Sequence, residues 1–223
     1  MLTAKQFTDA VARRLKTARK IDVRNSEGLK PLPAAERDAL AAKLEAYLGT
    51  KPSAEMLRRL SYPRHLKLFW QYAAEKESDI FNGEISLSNI GVALLENDFS
   101  FVDYGKHPEL TVLDTYRILD DHPHIGDGNM AAVTLNDEFT DVDLHYLEMF
   151  KPYRLKLTLE EYHQCLTVTL GYTHWQFLFC EGLDASSHEY MQTTYRAKLT
   201  KDLRTLWPDD DLEGFFALVD RAG

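Results

Sequence analysis

The residues of this sequence that could do chemistry gather most densely in Asp120, Asp121, His122, Pro123, His124, Ile125, Gly126, Asp127, Gly128 and Asn129. Two imidazoles one residue apart, flanked by carboxylates, could hold a divalent metal, because His-x-His on an extended strand aims both rings to one side. A metal-dependent hydrolase using His122, His124 and the nearby aspartates is the catalytic alternative that this loop allows. Pro123 stands between the histidines, however, and spacing fixes no third ligand. A polar loop between strands accounts for the same residues: Pro, Gly and Asn turn the chain, and Asp supplies local hydrogen bonds. The expectation is therefore a turn with no metal and no other cofactor.

A second acidic stretch, Asp137, Glu138, Asp141 and Asp143, invites comparison with a calcium loop. An EF-hand loop needs a glycine at its turn and a closing glutamate at a fixed offset, and neither is in place. The stretch reads instead as a solvated acidic rim. Together with the preceding loop, it makes Asp120, Asp121, Asp127, Asp137, Glu138, Asp141 and Asp143 the residues expected to meet a basic protein partner, since clustered carboxylates create a steering field. His145, His163 and His174 are general-base candidates by type, and Cys165 is a nucleophile candidate near His163. A nucleophile needs a base in hydrogen-bond reach and a third group to orient it. Two residues apart on one helix, His163 and Cys165 point to different faces. No phosphate-cradling glycine loop, nucleophile elbow, kinase set or zinc-protease helix occurs. No catalytic residue is assigned, and a binding protein is expected rather than an enzyme.

The elements that must position these residues follow from periodicity and caps. Thr3 can cap a first helix, Pro33 suits the start of a second that carries Leu40, Leu44 and Leu48 and stops at Gly49, and Ser53 caps a third. The stretch from Asn25 to Lys30 reads as a polar loop. After Pro63, the spacing of Leu66, Phe69, Trp70 and Ala73 predicts a fourth helix. Beyond Asn82 and Gly83 the period changes to two at Ile85 and Leu87. Strands are then expected over 92–95, 99–103, 115–119, 131–135 and 153–157, antiparallel because no crossover helix fits between them. Thr158 and Glu161 form a capping-box pair at the start of a helix ending at Gly171. Residues 173–180 are apolar enough to be buried, Ser187 opens a further helix that Pro208 stops, and Phe215, Phe216, Leu218 and Val219 supply the buried face of a last one. A helical front, a stranded middle and a helical end predict an α+β fold with a central antiparallel, meandering sheet.

With 223 residues the chain can bury one sizeable core, and it reads as a single domain. A hydrophobic fraction of 44% and a charged fraction of 27% are those of an ordinary globular protein, and no apolar run approaches the roughly 20 residues of a bilayer helix. The net charge of -9 repels nucleic acid and anionic membranes and favours basic protein surfaces. Cys165 and Cys180 lack metal-ligand spacing and read as reduced core thiols, and the amino terminus lacks the apolar stretch of a secretory signal, so a cytoplasmic location is expected.

The stretch Tyr62, Pro63, Arg64, His65, Leu66, Lys67, Leu68, Phe69 and Trp70, followed by Asn82, Gly83 and the strand from Glu84, resembles the SUKH superfamily. Proteins of that family start with a Pro-led helix, pass an Asn-Gly turn and enter a meandering sheet. The segment from Tyr153 through Leu170, with Leu159, Glu160, Glu161 and Tyr162, is similar to the helix that follows the sheet there. The resemblance implies a core over 61–172, with helical extensions over 1–60 and 173–223. It further implies a bacterial immunity protein that binds and neutralises a cognate polymorphic toxin, or a related regulatory binding protein, with no catalytic residues to carry over.

Overall fold

Among the described residues seven strands follow one another in sheet order β1 to β7, each hydrogen-bonded antiparallel to the next, so the expected α+β meander is the architecture. The computed structural model describes residues 2–73, 75, 79–136 and 141–223. In chain order the elements are α1 (Ala4–Thr17), β1 (Ile21–Glu27), α2 (Ala34–Leu48), α3 (Ala54–Arg59), β2 (His65–Tyr72), β3 (Asn82–Ser88), α4 (Ile90–Glu96), β4 (Arg117–Asp120), β5 (Met130–Leu135), β6 (Val142–Glu148), β7 (Lys151–Arg154), α5 (Leu159–Thr169), α6 (Ala185–Tyr190), α7 (Arg196–Leu206) and α8 (Glu213–Ala222). Among the described residues no helix is long and apolar enough to cross a membrane.

The caps act as the residue types require. Thr3 and Thr158 each accept a hydrogen bond from the amide three residues on, and the side chains of Gln6 and Glu161 reach back to the cap amides. Gly49 ends α2 in the left-handed conformation. Asp184, rather than Ser187, caps α6, which runs through a π turn (Met191–Tyr195) into α7.

Four segments depart from expectation. The predicted helix after Pro63 is β2, in which Leu66, Leu68 and Trp70 alternate inward between two neighbouring strands. The predicted strand at 92–95 belongs to α4, whose cap Asn89 accepts from Gly91 N and donates to the Leu60 and Tyr62 carbonyls. Residues 99–103 form turns, and the polar loop expected from Asn25 overlaps β1, an exposed edge strand. The amino-terminal stretch thus contributes a strand to the sheet as well as helices.

The main core lies between one sheet face and the helices, where Leu66, Leu68, Trp70, Ile85, Leu87, Val133, Leu144 and Tyr146 meet Tyr162 and Leu166 of α5. A smaller core lies on the opposite face of β5 and β6, where Met130, Ala132 and Leu147 are covered by Phe99, Leu113 and Tyr116 from the segment between α4 and β4.

The end of α5 is pinned to β3. The Trp70 indole N–H donates to the Leu170 carbonyl at 2.8 Å, and Glu84 N donates to the Gly171 carbonyl at 2.9 Å. Gly171 has φ +70°, and a Cβ there would stand 2.0 Å from the Glu84 carbonyl oxygen. Gly126 has a similar φ of +66° but nothing within 4 Å of a Cβ. Gly171→Ala is expected to cost about 3 kcal/mol or more in urea unfolding, whereas Gly126→Ala costs about 1 kcal/mol, the left-handed penalty alone. Equal losses would show that the α5–β3 contact is not tight.

Candidate functional site

The loop from Asp120 to Asn129 joins β4 to β5 and is fixed to both faces of the sheet. Asp120 ends β4 on the helix-covered face, fully buried, and accepts hydrogen bonds from Ser86 N and from the Tyr162 hydroxyl of α5, both at 2.8 Å. Glu84 belongs to the other face of β3, since the strand register puts Gly83 and Ile85 with Trp70 and Leu68. It is also buried, and accepts from the amides of His124 and Ile125 at 3.0 and 2.9 Å and from His124 Nδ1 at 2.7 Å. The His124 ring stacks on Phe69, centroids 5.0 Å apart.

The two histidines therefore do not converge. The His-x-His geometry needs extended backbone, and here the Gly126 amide bonds back to the His122 carbonyl at 2.8 Å, closing a turn. His122 is 3% exposed and lies in the interior beside Asp120 and His174. Among the described residues no three His, Cys, Asp or Glu side chains are grouped as a metal site would require.

Around His122 lies a buried polar neighbourhood. Asp127 Oδ1 accepts from Asn129 N at 2.9 Å, while its Oδ2 lies 3.8 Å from His174 Nε2. Asn129 Nδ2 and the Tyr146 hydroxyl approach His174 Nδ1 at 3.4 and 3.5 Å. Both ring nitrogens of His122, Asp127 Oδ2, Asn129 Oδ1 and Gln176 Oε1 find no hydrogen-bond partner among the described residues. Burial holds His174 below the usual imidazole range against the opposing pull of Asp127.

The acidic residues expected to form one partner-binding rim serve several different purposes. Asp120 faces the interior and cannot touch a partner. Asp121 is half-buried and accepts from His122 N at 2.7 Å, and Asp127 is partly enclosed beside His174. Asp141 pairs with Arg59 at 2.6 Å and Asp143 with Arg154 at 2.8 Å, so both carboxylates are already partnered. Asp137 and Glu138 lie outside the described residues. Among the other candidates, burial pushes the Cys165 and Cys180 thiols far up, His163 is pushed down to about 3 by burial and Arg59, and His145 Nε2 meets Thr134 Oγ1 at 3.1 Å.

What sequence reasoning missed is the layer from 97 to 116. It buries Phe99, Leu113 and Tyr116 against the second core but leaves Phe101 63% and Val112 51% exposed. Phe101 packs beside Phe99 at 5.7 Å. Asp98, Asp103, Glu109 and Asp114 are exposed in the same layer, where Asp103 pairs with Lys106 at 3.0 Å and Glu109 lies 3.3 Å from His107 Nδ1. The available signal is the apolar Phe99, Phe101 and Val102 inside the segment 99–103, for which a strand is expected. No family model, curated protein or solved structure matches the chain.

Burial raises the Asp120 carboxyl to about 6, partly offset by His122, Ser86 N and Tyr162. An unfolded Asp titrates near 3.9. Because the folded value is the higher one, the associated stability is complete below pH ~4 and is lost as pH rises through about 6. Asp120→Asn retains an acceptor for Ser86 N and a partner for Tyr162. It is expected to stabilise the protein by about 1–2 kcal/mol at pH 8, with no gain at pH 4, in urea titrations at both values. Parallel curves for the two proteins would show that Asp120 carries no such penalty.

Proposed function

We propose that this chain is a protein-binding module that acts by stoichiometric occupation of a basic partner, docking through the layer from 97 to 116. The observation that carries the proposal is Phe101, 63% exposed and packed on the buried Phe99 of the second core, in a layer that also exposes Val112 and the carboxylates of Asp98, Asp103, Glu109 and Asp114. A rigidly backed aromatic residue is what an interface uses as an anchor, and a surrounding acidic field speeds encounter with a basic surface. The net charge of -9 works in the same sense and against nucleic acid or an anionic membrane.

The resemblance to SUKH proteins supplies the kind of partner: a polymorphic toxin neutralised in the cytoplasm. The Pro63 segment and the Asn82-Gly83 pair lie in or beside strands, so support for that resemblance narrows to the meander and to α5 after it. The toxin reading is accordingly tested apart from the binding surface.

Calorimetric titration with a carboxyl-terminal toxin domain taken from a neighbouring reading frame is expected to give a one-to-one complex whose Kd rises with salt. Phe101→Arg is expected to weaken it at least tenfold with the fold intact by circular dichroism, as truncation of a central anchor typically does. An unchanged Kd would move the docking surface elsewhere, and a neighbouring frame without a toxin would remove that partner class.

A further inference from the structure

On the helical side of the molecule, away from the 97–116 layer, a cleft of about 940 Å³ opens between the start of α1, α2, α3 and the first turn of α5. Its volume is that of a small-molecule site. Ala41 and Ala42 of α2 line one wall, Leu57 and Leu60 the other, and Tyr62 and His163 are at the floor.

The electrostatics of the cleft select for a neutral ligand. Arg58 and Arg59 both pair with Glu55, Arg59 also takes Asp141, and Arg37 pairs with Asp38. Glu160 accepts from Gln164 Nε2 at 3.4 Å. Exposed Lys51 and Glu45 are opposite in sign. No unbalanced charge therefore converges on the interior.

The floor is different in kind. The Tyr62 hydroxyl donates to the Leu2 carbonyl at 2.8 Å and is satisfied. His163, 5% exposed, stacks on Tyr62 at 4.4 Å and lies 5.2 Å from Phe7, yet its imidazole makes no hydrogen bond to the described residues. A neutral imidazole has one donor and one acceptor, and the His163 side chain lines the cleft. Stacking against Tyr62 fixes the ring plane, so the unused nitrogen has a set direction.

We propose that this cleft is a binding site for a small, uncharged, largely apolar molecule carrying one hydrogen-bonding group, which His163 receives at the floor. The site is independent of the protein-docking surface, because it lies on the opposite side of the sheet.

The test uses N-phenyl-1-naphthylamine, a neutral aromatic probe with a single N–H, followed by its fluorescence. Titration of the full chain is expected to show saturable binding at one site with enhanced, blue-shifted emission. Ala42→Trp, at an exposed helix position that tolerates the ring, fills the cleft and is expected to raise Kd at least tenfold. His163→Phe keeps the stacked ring but removes both nitrogens, and is expected to raise Kd three- to tenfold. Thermal melts confirm that each variant folds. Absence of saturable binding, or a Kd unmoved by Ala42→Trp, overturns the proposal. If the probe fails while the toxin domain still binds, this site falls and the docking surface stands.

Discussion

Both faces of the sheet are apolar along β5 and β6, and this constraint shapes the rest of the molecule. Ala131, Val133, Leu144 and Tyr146 turn to one side, and Met130, Ala132 and Leu147 to the other. An antiparallel meander usually leaves one face to water. Here α5 and the helices around it cover one face, and the chain between α4 and β4 must cover the other. A covering layer with only a 3-10 turn (Pro108–Thr115) for regular structure cannot aim every apolar side chain inward. Phe99, Leu113 and Tyr116 go in, while Phe101 and Val112 are left facing water. The proposed docking surface follows from closing the second core.

Charge is used in two ways. Inside, two carboxylates on opposite faces of the sheet hold the β4–β5 loop, Asp120 at its start through the Ser86 amide and the Tyr162 hydroxyl, and Glu84 through the His124 and Ile125 amides and the His124 ring. A buried carboxylate is costly unless it is hydrogen-bonded, and the upward displacement of Asp120 measures the cost that remains. Outside, the exposed carboxylates of the 97–116 layer are well suited to steering a basic surface, although surface charges contribute more to encounter than to affinity. The acidic residues that look most functional by clustering in the sequence are largely engaged in structure.

Local chemistry was legible in the sequence, and pairing was not. The caps at Thr3, Ser53 and Thr158, the stop at Gly49 and the alternation of Ile85 and Leu87 act within a few residues and are read correctly. The segment after Pro63 satisfies helical spacing through Leu66, Phe69 and Trp70 and strand spacing through Leu66, Leu68 and Trp70, and only the presence of β1 and β3 decides between them. In α4 nearly every residue is buried, so no period survives to mark a helix. At the site, the 120–129 loop was found by residue type. Which of its carboxylates reaches water depends on Tyr162, Ser86 and His174, distant in sequence. His163 likewise gains its interest from Tyr62 and from the wall made by α2 and α3.

The central claim is that the 97–116 layer is the face this protein presents to its partner. Hydrogen-deuterium exchange of the free and toxin-bound chain, resolved to peptides, tests it directly. Amides from 98 to 116 are expected to slow on binding, with those of α2 and α3 unchanged. Protection confined to α2 and α3 or to the open edge of β1, with 98–116 unaltered, would contradict the account.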